Sequence, residues 1–281
     1  MTGRPDGVPY GVGHIQVLEG LEAVRKRPGM YVGSDGAGGL LRLVAEVVGH
    51  AVAEVVAGHA TAVDVTLTAD GGVRVADDGR GLPVGVAGPT SGEPALESVL
   101  TELRGGYPDS RGSCGTGLAV VNGLSRRLTA EVRRDGFRWT QEYARGVPLA
   151  PPARREATDA HGTTLTLWAD DELFTTTTHS FTALARHVRE LAYLCGELTV
   201  SLTDERPEAD RNTVRYRRDG GLRGFLTHLD AREGEPAAPV HPTVIGFEAG
   251  SCEVALRWDW LGHHPEEAAS IVRHATAQAI G

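Results

Sequence analysis

Glu46 and His50 stand one helical turn apart in Glu46-Val47-Val48-Gly49-His50, and the cluster Asp77-Asp78-Gly79-Arg80-Gly81-Leu82-Pro83 follows downstream. A partly desolvated glutamate can polarise a water for attack on a terminal phosphate, and the neighbours Leu43, Val44, Val47 and Val48 favour that burial. Asp77, after Val73-Arg74-Val75, is placed to accept the amino hydrogens of adenine, while Gly79 and Gly81 let backbone approach a flat base and Pro83 packs on it. Gly112-Ser113-Cys114-Gly115-Thr116-Gly117 precedes a helical stretch, so its N–H groups suit the wrapping of phosphates. It is not a Walker loop, because no Lys-Ser or Lys-Thr follows. It is not a dinucleotide fingerprint either, because the glycine order differs and no strand precedes it. Each signal has an ordinary counterpart: a turn at 77–81, a solvated helix residue at Glu46, a bare glycine-rich loop at 112–117.

The elements that must position these residues follow from hydrophobic period. Residues 39–58 carry Leu40, Leu41, Val44, Val47, Val48, Ala51, Val52 and Val55 at helical spacing, which predicts one long amphipathic helix with Glu46, His50 and Glu54 on one face. A short helix is expected over 18–25, ended by Pro28-Gly29. Strands at 63–68 and 73–75 flank an Asp70-Gly71-Gly72 turn as a hairpin. Helices at 93–104, 118–124 and 181–194 alternate with strands at 128–133, 137–143, 163–168, 199–204 and 213–216. The order predicts an α+β chain, a two-layer α/β sandwich with helices on one face of the sheet. An arm over 1–14, a main domain over 15–220 and a smaller segment over 221–281 complete the organisation, with Gly220-Gly221 as the joint. The last segment is expected to hold helices near 222–229 and 266–280 and strands near 244–247 and 253–258.

Composition narrows the classes. The net charge of -9 argues against direct DNA binding through the net field. Lys26 is the only lysine, which excludes a lysine mechanism elsewhere, and aromatic residues are scarce at 5%, so Leu, Val and Ala must build the core. Cys114, Cys195 and Cys252 match neither a disulfide framework nor a compact thiolate metal site. No run reaches membrane-spanning length and the start has no leader-like apolar stretch, so the expectation is a cytoplasmic protein away from membranes.

Taken in order, Gly20-Leu21-Glu22-Ala23-Val24-Arg25-Lys26-Arg27-Pro28-Gly29-Met30-Tyr31-Val32-Gly33, Glu46-Val47-Val48, Asp77 to Pro83, Gly115-Thr116-Gly117, Val121-Asn122-Gly123-Leu124-Ser125 and Gly162-Thr163 resemble the ATPase domain of DNA gyrase B and its topoisomerase IV relatives. The likeness spans roughly residues 10–258 and places the chain in the wider gyrase, Hsp90, histidine kinase and MutL superfamily. The resemblance implies a Bergerat-type fold binding ATP or ADP with Mg2+. It makes Glu46 the catalytic base, Asp77 the adenine-binding aspartate, Thr163 its water-sharing partner and Gly81 the flexible glycine at the base. It pairs Arg80 with Glu54, makes Gly115 and Gly117 the hinge of a phosphate-covering lid in which Thr116 lies, and gives Tyr10 to an arm that reaches into a homodimer partner.

The departures from that family are specific. His50 replaces the asparagine whose amide oxygen ligates magnesium, and imidazole suits zinc, nickel or iron better than magnesium. Gly49 and Ala53 replace acidic residues, the lid is shortened to 103–117 with Tyr107 near the family's lysine, and Thr140 stands where arginine is common at the pocket mouth. The 221–281 segment resembles only the start of a transducer domain, and the cleavage core is missing, so the expectation is not a complete topoisomerase. Four readings follow. The first is a nucleotide-dependent switch that dimerises or recruits an unidentified protein partner, with weak or absent hydrolysis. The second is a slow ATPase. The third is a specialised-metabolism enzyme that turns Glu46, His50 and Glu54 on a different small-molecule substrate, as acid/base groups or transition-metal ligands. The fourth is an inactive scaffold.

Overall fold

A computed structural model of the chain describes residues 20–85, 95–103, 117–195, 197–207, 212–217 and position 224. Apolar residues at helical spacing drive the longest element, α3 (Ala37–Val56), preceded by α1 (Gly20–Lys26) and α2 (Gly29–Val32). Leu40, Leu43, Val44, Val47, Val48, Ala51, Val52 and Val55 form its buried stripe. Each such Leu or Val, fully buried, is worth about 1.5–3 kcal/mol.

The strands are β1 (Ala62–Leu67), β2 (Val73–Asp77), β3 (Ser125–Arg134), β4 (Phe137–Ala144), β5 (Val147–Pro148), β6 (Ala153–Ala157), β7 (Gly162–Ala169), β8 (Thr199–Asp204) and β9 (Thr213–Arg217). Between them run α4 (Ala95–Thr101), α5 (Leu118–Gly123) and α6 (Phe181–Leu194), the last capped by Ser180, whose hydroxyl accepts from the Ala183 N–H at 3.3 Å. One sheet has the order β5-β4-β3-β7-β2-β1-β8-β9, with β6 also on β4; β1 and β8 run parallel and the other pairs antiparallel. Burial alternates along β2, β7 and β8, so one face packs on the helices and the other stays partly open. Helices α3, α5 and α6 cover that face, α4 and α1 packing on α5, which makes the architecture a two-layer α+β sandwich.

Between the layers lies a core of Val, Leu and Ala, with Tyr143 the bulkiest fully buried side chain among the described residues. Arg25 ties α1 to the sheet: it donates to the Gly123 carbonyl at 2.9 Å and to the fully buried Asp170 at 2.8 Å, a carboxylate that Arg145 also pairs at 3.2 Å. No helix among the described residues is long and apolar enough to cross a membrane.

Three features differ from the sequence expectation. Pro28-Gly29 ends α1 but also opens α2, because Pro28 at φ -58° already has helical backbone. Strand β3 starts at Ser125 rather than 128, through an irregularity between Ser125 and Arg127. Strands β5 and β6 have no counterpart in that expectation: one is two residues long and the other, Ala-Arg-Arg-Glu-Ala, is a charged edge without alternation. The arm with Tyr10, the lid residues Tyr107, Gly115 and Thr116, and, but for position 224, the expected elements of 221–281 lie outside the described residues.

Candidate functional site

Asp77 is the last residue of β2, on the face turned toward the helices, and is only 6% exposed. The hairpin register sets Val63 opposite Asp77, and β7 begins beside it. The Gly79 N–H donates to Asp77 Oδ1 at 2.9 Å and the Thr163 N–H to the same oxygen at 3.3 Å. Oδ2 receives no hydrogen bond among the described residues. Burial pushes the carboxyl up to about 6; the two N–H groups oppose the shift, while Glu54 and Asp78 add to it. Its neighbour Asp78 is exposed and does a different job, accepting from the Thr61 N–H, the Thr61 hydroxyl and the Ala62 N–H at 2.7–2.9 Å and so fixing the entry to β1.

Two glycines make this arrangement. Gly162 has φ +122°, and a Cβ there would lie 2.0 Å from the Asp77 carbonyl oxygen. Gly81 has φ +77°, and its Cβ would meet the Arg133 carbonyl at 2.8 Å. The Gly81 carbonyl accepts from Arg134 at 2.8 Å, and the Thr163 hydroxyl accepts from the Leu82 N–H at 3.0 Å. The segment through Leu82 to the half-buried Pro83 is thereby tied to β3 and β7. Gly117 has φ +86° and stands immediately before α5.

The other group rides on α3. Glu46 has a side chain only 9% exposed, and Arg42 one turn earlier stands 3.6 Å from its carboxylate. His50 is half-buried; burial lowers its pKa, with Glu54 pulling the other way, so the imidazole is neutral at pH 7. Glu54 takes a forked pair from Arg80 at 2.8 and 3.0 Å together with the Arg80 N–H, and these hydrogen bonds hold its carboxyl below the usual range. Glu54 is thus committed to the Asp77–Pro83 segment. Among the described residues no three His, Cys, Asp or Glu side chains gather into a metal-holding group, so Glu46, His50 and Glu54 are not a ligand set there. The neutral imidazole of His50 also fits poorly to magnesium, which requires hard oxygen donors.

Sequence reasoning missed three contributors. Arg42 is an i, i+4 partner of Glu46, and that spacing is its visible signal. Gly162 stands out in the sequence only as part of a Gly-Thr motif, its role resting on a tertiary approach that sequence does not display. Arg155 of β6 donates to the Thr140 hydroxyl at 2.9 Å, so a guanidinium stands beside this position after all, delivered from the neighbouring strand.

Comparison with known proteins identifies relatives of the chain. Residues 36–173 match the family described as histidine kinase-, DNA gyrase B-, and HSP90-like ATPase. The novobiocin-resistant DNA gyrase B protein of Streptomyces niveus is 51% identical over 276 residues, covering 89% of this chain and 40% of that protein. The DNA gyrase B protein of Streptomyces coelicolor is 49% identical, with the same coverage of 89% and 40%. That of Mycobacterium leprae is 39% identical, with 89% and 42% covered. The chain therefore spans about 40% of the length of these curated relatives. It is a relative of DNA gyrase B, and its residues 36–173 belong to the histidine kinase-, DNA gyrase B-, and HSP90-like ATPase family.

Proposed function

We propose that the protein is an ATP- or ADP-binding switch, in which nucleotide occupancy drives homodimerisation or recruitment of a protein partner and hydrolysis is weak or absent. The observation that carries the reading is Asp77: a buried carboxylate with one oxygen fixed by two backbone N–H groups and the other open to an amino donor. Adenine supplies such a donor, and Gly79, Gly81, Pro83 and Thr163 frame the same position. Gly115, Thr116 and Gly117 are assigned to the phosphates, and Tyr10 to the dimer arm, on the family resemblance. The His50 imidazole leaves magnesium without the family's oxygen ligand, so in this reading no step depends on a protein-held Mg2+, and turnover is the property that suffers. Transition-metal binding through His50 is the weaker alternative, since Glu54 is engaged by Arg80.

A second reading, a slow ATPase, is favoured by the near burial of Glu46, the environment that suits a general base. Calorimetric titration with ATP, ADP and a non-hydrolysable analogue, first with magnesium and then with zinc or manganese, separates the two when combined with phosphate release by the wild type and Glu46→Ala. Sedimentation with and without the analogue reads the assembly. Binding with little release and a nucleotide-dependent increase in mass is the expected result. Release abolished by Glu46→Ala makes the protein an ATPase. Absence of nucleotide binding in every metal overturns both readings and points to a repurposed pocket or a scaffold.

A further inference from the structure

A second cleft opens at the opposite end of the sheet. It has a volume of about 150 Å3 and is lined by the β1–β2 turn, the start of β3, the end of β7, the segment before α6 and Arg206. Strand register fixes its separation from the first site. Asp77 pairs with Val63, and Gly162 with Arg133, at one end; Leu67 pairs with Val73, and Trp168 with Arg127, at the other. Six residues along β7 from Gly162 to Trp168 amount to roughly 20 Å. The nucleotide cavity and this cleft therefore share strands but not residues.

Its lining has the makings of a polar site. His179 is 5% exposed, and its buried Nε2 has no hydrogen-bond partner among the described residues. Such an orphan is uncommon in a folded interior and calls for a partner that the described residues do not supply. Its place is fixed: Arg206 is clamped by Asp204 through two hydrogen bonds at 2.6 and 2.8 Å and turns its remaining nitrogen to the His179 carbonyl at 2.8 Å. Burial, helped by Arg206, brings His179 down to about 4, so the ring is neutral at pH 7 and can donate one N–H without a counter-charge.

On the rim, Arg126 is exposed and has neither an ion pair nor a hydrogen-bond partner among the described residues. Thr177 and Thr178 add hydroxyls. The carboxylate in the lining, Asp70, is exposed and accepts from the Thr68 hydroxyl at 2.5 Å. An exposed guanidinium, two hydroxyls and a neutral buried imidazole form a donor set for an oxygen-rich anion. We propose that this cleft is a second binding site, separate from the nucleotide cavity, for a small oxyanion bearing a phosphate or carboxylate group.

The test is a titration of the full chain, 15N-labelled, with inorganic phosphate and separately with malonate. It is followed at the Trp168 indole N–H and the His179 ring nitrogens, with sodium chloride holding the ionic strength constant. Saturable shifts at both residues, with a dissociation constant below about 10 mM, are expected for at least one anion, and the tighter of the two names the group preferred. Arg126→Gln, an exposed change that leaves the fold intact, should weaken that binding at least about tenfold. Trp168 lies six residues along β7 from Gly162, so shifts read there report this cleft and not phosphate held in the nucleotide cavity. Shifts that do not saturate, or that persist undiminished in Arg126→Gln, overturn the proposal, and the cleft then holds water alone.

Discussion

The Asp77 end of the nucleotide cavity and the α3 end are held by different kinds of constraint. At the first, strand register, two glycines at positive φ and paired backbone donors fix every atom: Gly162 and Gly81 have no room for a Cβ, and Thr163 and Gly79 converge on a single carboxylate oxygen. At the second, Arg42, Glu46, His50 and Glu54 stand on one side of a helix whose fold is secured by the opposite, apolar stripe. A side chain on that side can change without disturbing the core. This accounts for one cluster of the departures from the family, His50, Gly49 and Ala53 on α3, with Thr140 on β4 and the lid lying apart from it, while Asp77, Gly79, Gly81 and Thr163 match the residues of the resemblance. In the proposed reading, recognition rests on backbone geometry, whereas any hydrolytic apparatus rests on replaceable side chains.

The largest break in that contrast comes from Gly162→Ala. A methyl 2.0 Å from the Asp77 carbonyl, at φ +122°, must push β7 away from the end of β2. A loss of more than about 3 kcal/mol in urea unfolding is expected, together with loss of nucleotide binding. Retention of wild-type stability would mean that the two strand ends are not locked together as described.

Asp77→Asn separates recognition from stability. The folded-state pKa of about 6 lies above the ordinary value of 3.8, so the ionised carboxylate opposes folding above pH 6, and that cost disappears as the pH falls toward 4. The amide keeps an acceptor for Gly79 and Thr163 but carries no charge. The variant should therefore be about 2–3 kcal/mol more stable than wild type at pH 8 and equal to it below pH 4. ATP affinity should drop about 100-fold, since the open acceptor becomes a donor facing an amino group. In the wild type, affinity should fall as pH drops through 6. Urea unfolding and calorimetry across pH 4–8 read both; a variant no more stable at pH 8 would show that Asp77 is better solvated than its burial implies.

The same distinction decides what could be read from the sequence. Helix α6 is legible to the residue, 181–194, because a serine cap and a clean apolar period mark it, and α3 is legible within two residues at either end. The Arg80–Glu54 pair follows from the family resemblance and stands in the structure. Strands β5 and β6 are invisible because a two-residue bridge and an exposed run of arginine and glutamate have no period to detect. The need for glycine at 162 is invisible for another reason. It arises from contact with Asp77, 85 positions away, and no local pattern encodes such an approach.

His50→Asn tests whether the α3 end has merely lost a ligand. It restores an amide oxygen at a position where burial keeps the imidazole neutral. Magnesium-dependent phosphate release should rise about tenfold or more, with ATP affinity changed little, because the adenine contacts lie on other elements. An unchanged rate would place the defect in Gly49, Ala53 or the lid, and the contrast between the two ends would then extend beyond a single side chain.

The smallest effect, and the sharpest for interpretation, is that of Arg42→Ala. Its guanidinium stands 3.6 Å from Glu46, but its own side chain is 59% exposed, and a base placed N-terminal to an acid at i, i+4 is the weaker orientation. Solvent screening leaves such a pair worth about 0.3 kcal/mol, so the melting temperature should move by only about 1 °C. The pair nonetheless places a cation against the one carboxylate of α3 not committed to Arg80. If phosphate release changes less than about threefold, Arg42 is a surface partner and the α3 end has simply been eroded. A change of about tenfold or more at unaltered stability would mean that Arg42 tunes Glu46 in the reacting state, and that this end of the cavity has been rebuilt for a chemistry of its own.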